Sequence, residues 1–115
     1  MTHWKRDDVK NLFEDLECDI EEGPPMGGYY DLTSLYLTPK GKEEWVRIVP
    51  FVTDPNGTGG ADDDREVDGV EVRTNGDDRG GLQTCDEKVA SLYGTICVRL
   101  RQKGFQITAN YENYF

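Results

Sequence analysis

The segment 54–62, DPNGTGGAD, carries oxygen side chains at Asp54, Asn56, Thr58 and Asp62, every second residue at first, with Gly59 at the sixth place. Hard oxygens around a glycine turn are how calcium-binding loops wrap their ion. The match is incomplete. Arg65 stands where a bidentate glutamate would close the cage, Glu66 comes one residue late, and no helical pattern flanks the loop. These four residues are weak Ca²⁺ candidates, and no metal or cofactor is otherwise expected.

Three cysteines, Cys18, Cys85 and Cys97, show no paired spacing. Cys85 falls in the first turn of an expected helix, where the dipole lowers a thiol pKa, but Asp86 and Glu87 oppose that effect. Cys97 borders an apolar stripe and reads as core. His3 is the single histidine and stands near a terminus, a poor place for a rigid general base or a multi-histidine metal site. Carboxylate catalysis needs one acid in an apolar pocket. Only Asp31 lies within an apolar segment, and it is expected to face solvent. The Gly-rich segment 75–81 carries Asp77 and Asp78 where a phosphate cradle needs positive charge. No catalytic residues are expected.

The acids themselves form the strongest pattern. Residues 62–78 hold Asp62, Asp63, Asp64, Glu66, Asp68, Glu71, Asp77 and Asp78 against Arg65 and Arg73. Residues 1–22 hold Asp7, Asp8, Glu14, Asp15, Glu17, Asp19, Glu21 and Glu22 against Lys5, Arg6 and Lys10. From Lys88 to Tyr111 there is no acid, and the net charge is −10. Such a field repels phosphates and anionic lipid, so neither direct nucleic-acid binding nor membrane binding is expected. No secretory leader or membrane-span pattern is visible, and unpaired cysteines suit a cytoplasmic protein.

The elements that must position these residues follow from periodicity. Val9, Leu12, Phe13, Leu16 and Ile20 recur at helical spacing and predict a helix from Thr2 or Lys5 to Cys18 or Asp19, closed by Pro24–Pro25. Its acidic end, Glu14, Asp15, Glu17 and Asp19, runs against the helix dipole and is expected to face a basic partner. Strands are predicted over 29–37, 43–53 and 69–74, with turns at 39–42 and 75–76. Pro50 cannot donate to a ladder and suggests an edge or a bulge. Thr84 and Glu87 have capping-box spacing before Val89, Leu92, Tyr93, Ile96 and Leu100, and Gly104 suits the helix end. Alternation in Phe105, Ile107, Ala109 and Tyr111 predicts a last strand.

The expected fold is one two-layer α+β domain over residues 1–115, ordered α-β-β-β-α-β. It has a mainly antiparallel sheet of about four strands with two helices on one face, and acidic Gly-rich loops near 54–68 and 75–83.

The expected function is that of a small acidic, non-catalytic interaction protein. It would bind and block a basic surface of another protein, with a nucleic-acid-binding protein or enzyme as candidate targets. In size and charge the chain is similar to phage-encoded inhibitors, DNA-mimic proteins and toxin-immunity proteins. The expected contacts are Asp62, Asp63, Asp64, Glu66, Asp68, Asp77 and Asp78, with Glu14, Asp15 and Glu17 as a second patch. Tyr29, Tyr30, Tyr36, Trp45, Tyr111, Tyr114 and Phe115 supply candidate aromatic anchors. The alternative is a Ca²⁺-dependent module built on the loop 54–68. A bare strand edge could also pair with a second copy.

Overall fold

The computed structural model describes residues 2–23, 33–52, 64–74 and 86–109. Within them the chain runs β1 (Thr2–Lys5), α1 (Arg6–Asn11), β2 (Cys18–Gly23), β3 (Ser34–Pro39), β4 (Val46–Phe51), β5 (Asp64–Val67), β6 (Gly69–Thr74), α2 (Glu87–Gln102) and β7 (Ile107–Ala109). The α+β class holds, with more strands than expected. Five strands form the main sheet in the order β2-β3-β4-β6-β7, and β1 pairs with β5 as a separate antiparallel ladder. All pairings in the main sheet are antiparallel except β6 with β7, which α2 connects as a parallel crossover.

The sheet has an apolar helix-facing side because its strands alternate. Leu35 and Leu37, Val46 and Ile48, and Val70 and Val72 are fully buried against Val89, Tyr93, Ile96 and Leu100 of α2. The Tyr93 hydroxyl donates to the Val72 carbonyl at 2.8 Å, which satisfies its polar tip inside this core.

The second helix begins and ends for local reasons. Its N-cap is Asp86, whose side chain accepts from the Lys88 N–H at 2.9 Å, so the predicted capping role of Thr84 passes to a residue two places on. Asp86 also takes the Lys42 ammonium at 2.9 Å. At the other end the Gly104 N–H bonds the Arg101 carbonyl and the Phe105 N–H bonds Leu100. This is the Schellman pattern, and Gly104 supplies the positive φ it requires.

The first helix departs from expectation. It spans only Arg6–Asn11, with a strand before it and turns after it. Leu12, Phe13 and Leu16 donate to carbonyls three residues back. That tight turning preserves the burial of Val9 and Phe13 while the regular helix is lost. From Cys18 the pattern changes to alternation, with Cys18 and Ile20 half-buried on the core and Asp19 and Glu21 exposed. The first helix therefore obeys the dipole rule, with Asp7 and Asp8 in its first turn and Lys10 in its last.

Three smaller corrections concern strands. β5 lies inside the stretch predicted as loop 54–68 and pairs with β1. Pro39 closes β3, and the turn follows it at Lys40 and Gly41. Pro50 belongs to an interior strand. The described β3 ladder ends at Ile48, so Pro50 lies past it, where a missing N–H removes no described bond on that side.

Candidate interaction surface

No lysine or arginine occurs between Lys10 and Lys40, and six acids fall in that interval before Gly23: Glu14, Asp15, Glu17, Asp19, Glu21 and Glu22. The structure sets them on the turns after α1 and along β2, an outer strand of the main sheet. All six are exposed. Asp19 and Glu21 are exposed because Cys18 and Ile20 take the core side, which turns them outward by the two-residue repeat of a strand.

Some of these charges are fastened. Arg99 of α2 donates to both Asp15 carboxylate oxygens, at 2.6 and 3.0 Å, and also to the Leu12 carbonyl at 2.6 Å. One guanidinium thus ties the turn to the helix and caps an open carbonyl. It holds the Asp15 carboxyl below its ordinary pKa, chiefly through these hydrogen bonds. Glu22 meets Arg6 at 3.2 Å and Lys10 at 3.5 Å, which anchors β2 to α1. Asp19 is 3.9 Å from Lys40, with both side chains about two-thirds exposed, so that pair contributes little. Glu14, Glu17 and Glu21 make no ion pair among the described residues. Their field projects into solvent.

Of the predicted contacts, Glu14, Asp15 and Glu17 belong to this surface. Asp19, which the sequence places at the same acidic end, joins them, as do Glu21 and Glu22, which were missed because the predicted helix hid the strand that begins at Cys18. Asp64, Glu66 and Asp68 fall elsewhere. Asp64 pairs in register with Lys5 and Glu66 with His3 in the β1–β5 ladder, and the half-buried Asp68 donates its N–H to the Phe51 carbonyl. Asp64 and Glu66 thus belong to the β1–β5 ladder and not to the main sheet that carries β2. Asp62, Asp63, Asp77 and Asp78 lie outside the described residues, as do the calcium candidates Asp54, Asn56 and Thr58. Cys85, Asp31, Tyr29, Tyr30, Tyr111, Tyr114 and Phe115 lie outside them too.

The sheet side away from α2 carries a second polar group. Arg47 sits 4.7 Å over the Tyr36 ring and donates to the Ser34 hydroxyl at 2.9 Å. Trp45 meets Tyr36 edge-on at 4.9 Å. Next to them Glu71, whose side chain is only 5% exposed, is held by Arg73 through two hydrogen bonds of 2.6 and 3.0 Å. Arg47 and Arg73 are direct cross-strand partners. Two facing cations would repel, and the buried carboxylate and the aromatic ring offset that repulsion. Sequence alternation places Glu71 on this side, but its pairing with Arg73 two residues away needed the structure.

The thiols are placed against reactivity. Burial pushes the Cys97 thiol up to about 11, with Arg101 pulling weakly the other way. Burial first, then the neighbouring Asp19, raises that of Cys18. His3 is exposed on β1. Among the described residues no three His, Cys, Asp or Glu side chains converge as a metal site, and no helix is long and apolar enough to cross a membrane.

Comparison with known protein families, with curated proteins and with solved structures finds no match.

Proposed function

We propose that this protein is a non-catalytic interaction protein whose acidic turn and outer strand, residues 14–22, bind and block a basic surface of another protein. The observation that carries this reading is the set of six exposed acids on the turn and outer strand, of which Glu14, Glu17 and Glu21 make no ion pair among the described residues. Uncompensated charges of one sign steer an oppositely charged partner and speed encounter. Among the described residues no strand pairs with the outer side of β2, and a basic segment could extend the sheet there. The same charges deter a second β2 from pairing in its place, since like charges across a ladder are unfavourable.

A nucleic-acid-binding protein is the natural target class, because its surface is already built to receive regularly spaced negative charge. The test is affinity capture from a cell lysate with nuclease present, at low and at high salt. A basic protein retained at low salt and released at high salt supports the reading. Retention of acidic or neutral proteins only, or no change with salt, overturns it.

A further inference from the structure

The hydrogen-bond parity of β2 decides which of its backbone groups face outward. The Lys40 N–H donates to the Glu17 carbonyl at 3.3 Å, one step beyond the Cys18–Pro39 pair. In an antiparallel ladder, bonded and non-bonded pairs alternate. Asp19 with Thr38, Glu21 with Tyr36 and Gly23 with Ser34 are therefore the bonded pairs. Two further observations agree. Pro39 has no N–H to give Cys18, and the Cys18 N–H is already engaged by the Leu16 carbonyl at 2.9 Å. Ile20 and Glu22 thus point both N–H and C=O away from β3, and Cys18 points its C=O the same way. β2 ends the order of the main sheet, and no described strand takes up these groups.

The charges follow the same parity. Asp19 and Glu21 are exposed on the side of the strand opposite Cys18 and Ile20, which pack on the core. A strand added antiparallel along β2 would bond to Ile20 and Glu22. Its residues opposite Asp19 and Glu21 would then form the non-bonded pairs, which bring Cα atoms to about 4.5 Å instead of about 5.5 Å and side chains closest together. Opposite charges favour such a pair, and like charges oppose it.

We propose that β2 receives an extended segment of a basic protein as an additional strand, and that it selects segments with lysine or arginine at every second position. This rests on the reading of residues 14–22 as a surface for a basic protein, and it adds how that surface recognises its partner. The open edge supplies affinity through main-chain bonds, which are blind to sequence, and Asp19 and Glu21 supply the selection. Two basic residues two positions apart meet both acids. Adjacent ones fall on opposite faces of the strand, and only one of them can meet an acid. Glu22, held by Arg6 and Lys10, takes no part in the selection.

The test is amide hydrogen exchange of the full chain, followed by nuclear magnetic resonance, with two end-blocked peptides of the same lysine and threonine content. One peptide alternates the two residues. The other sets its lysines in adjacent pairs separated by two threonines, so that no two lysines stand two positions apart. In the free protein the Asp19 and Glu21 amides are expected to be protected by β3, and those of Ile20 and Glu22 to exchange freely. At saturation the alternating peptide should slow exchange at Ile20 and Glu22 by about tenfold, and it should bind about tenfold more tightly than the paired one. Asp19→Asn/Glu21→Gln leaves every backbone group in place and should bind the two peptides alike. Equal binding of both peptides by wild type without protection at Ile20 and Glu22 overturns the proposal, and leaves the charge-based reading of the surface standing. Binding of neither peptide also overturns it, while the lysate capture at two salt concentrations judges the surface reading independently. Protection of Ile20 and Glu22 that grows with protein concentration in the absence of peptide would put a second copy on the edge and overturn it as well.

Discussion

Trp4 is fully buried, packs edge-on to Phe105 at 6.2 Å, and has an indole N–H with no hydrogen-bond partner among the described residues. Trp4→Phe therefore sets two effects against each other. The phenyl ring fills less space by roughly two carbon atoms, which costs about 1.6 kcal/mol at about 0.8 kcal/mol per buried methylene-sized group. It also removes a buried unsatisfied donor, which returns about 1–3 kcal/mol. The expected net change lies within about 1.5 kcal/mol of zero. Trp4→Ala keeps the second effect but forfeits the whole ring, and large aromatic truncations cost about 3–5 kcal/mol. Thermal and urea unfolding of both variants measure the difference. At roughly 4 °C per kcal/mol, Trp4→Phe should melt within about 6 °C of wild type and Trp4→Ala at least about 12 °C lower. A Trp4→Phe loss above about 3 kcal/mol would mean that the indole N–H makes a bond worth keeping, and the reasoning would fail.

Other substitutions read other parts of the structure. Glu71→Ala should destabilise by about 1–3 kcal/mol in urea, short of a fully buried pair because Arg73 can turn to water; an unchanged midpoint would contradict that. Gly23→Ala places a Cβ against the Tyr36 ring and 2.8 Å from the Ser34 hydroxyl, so Tyr36 must leave its contacts with Trp45 and Arg47. Overpacking of this kind costs about 1–3 kcal/mol, and near-ultraviolet circular dichroism should show the aromatic environment change. Asp15 has a folded pKa below its unfolded value because of Arg99. The stability it supplies is therefore complete above the unfolded pKa and lost as pH falls through the folded one, below about pH 4. Asp15→Asn should lower stability at neutral and alkaline pH and flatten its fall in acid, so that the two proteins converge below the folded pKa; an unchanged acid limb would show that the Arg99 pair contributes nothing.

Much of the scaffold was legible because its signals are local. The stripe Val89, Leu92, Tyr93, Ile96 and Leu100 marks α2 almost to the residue, and Gly104 marks its end. The β6 strand at Gly69–Thr74 follows from its valines. The N-terminal third misled because Val9, Leu12, Phe13 and Leu16 keep near-helical spacing through turns bonded three residues back. Burial repeats there, but the helix does not. The acids from Glu14 to Asp19 signalled this, since they would have crowded the negative end of a longer helix. The conflict between charge and dipole pointed to a wrong element, and once the helix is shortened it disappears. The acidic surface was thus half visible. Glu14, Asp15, Glu17 and Asp19 were identified as an acidic end, while Glu21 and Glu22 needed the strand that carries them. Pairings across long separations, such as Arg99 with Asp15 and β1 with β5, have no local signature.

The central claim is that the uncompensated acids of the turn and outer strand steer a basic partner. It is tested most directly by the association rate of the captured partner with wild type and with Glu14→Gln/Glu17→Gln/Glu21→Gln, followed by stopped flow over a series of salt concentrations. These three side chains make no described ion pair, so the variant should retain the fold. The account predicts association slower by about tenfold at low salt, a shallower salt dependence, and dissociation nearly unchanged. Equal association rates for both proteins at every salt concentration would contradict it.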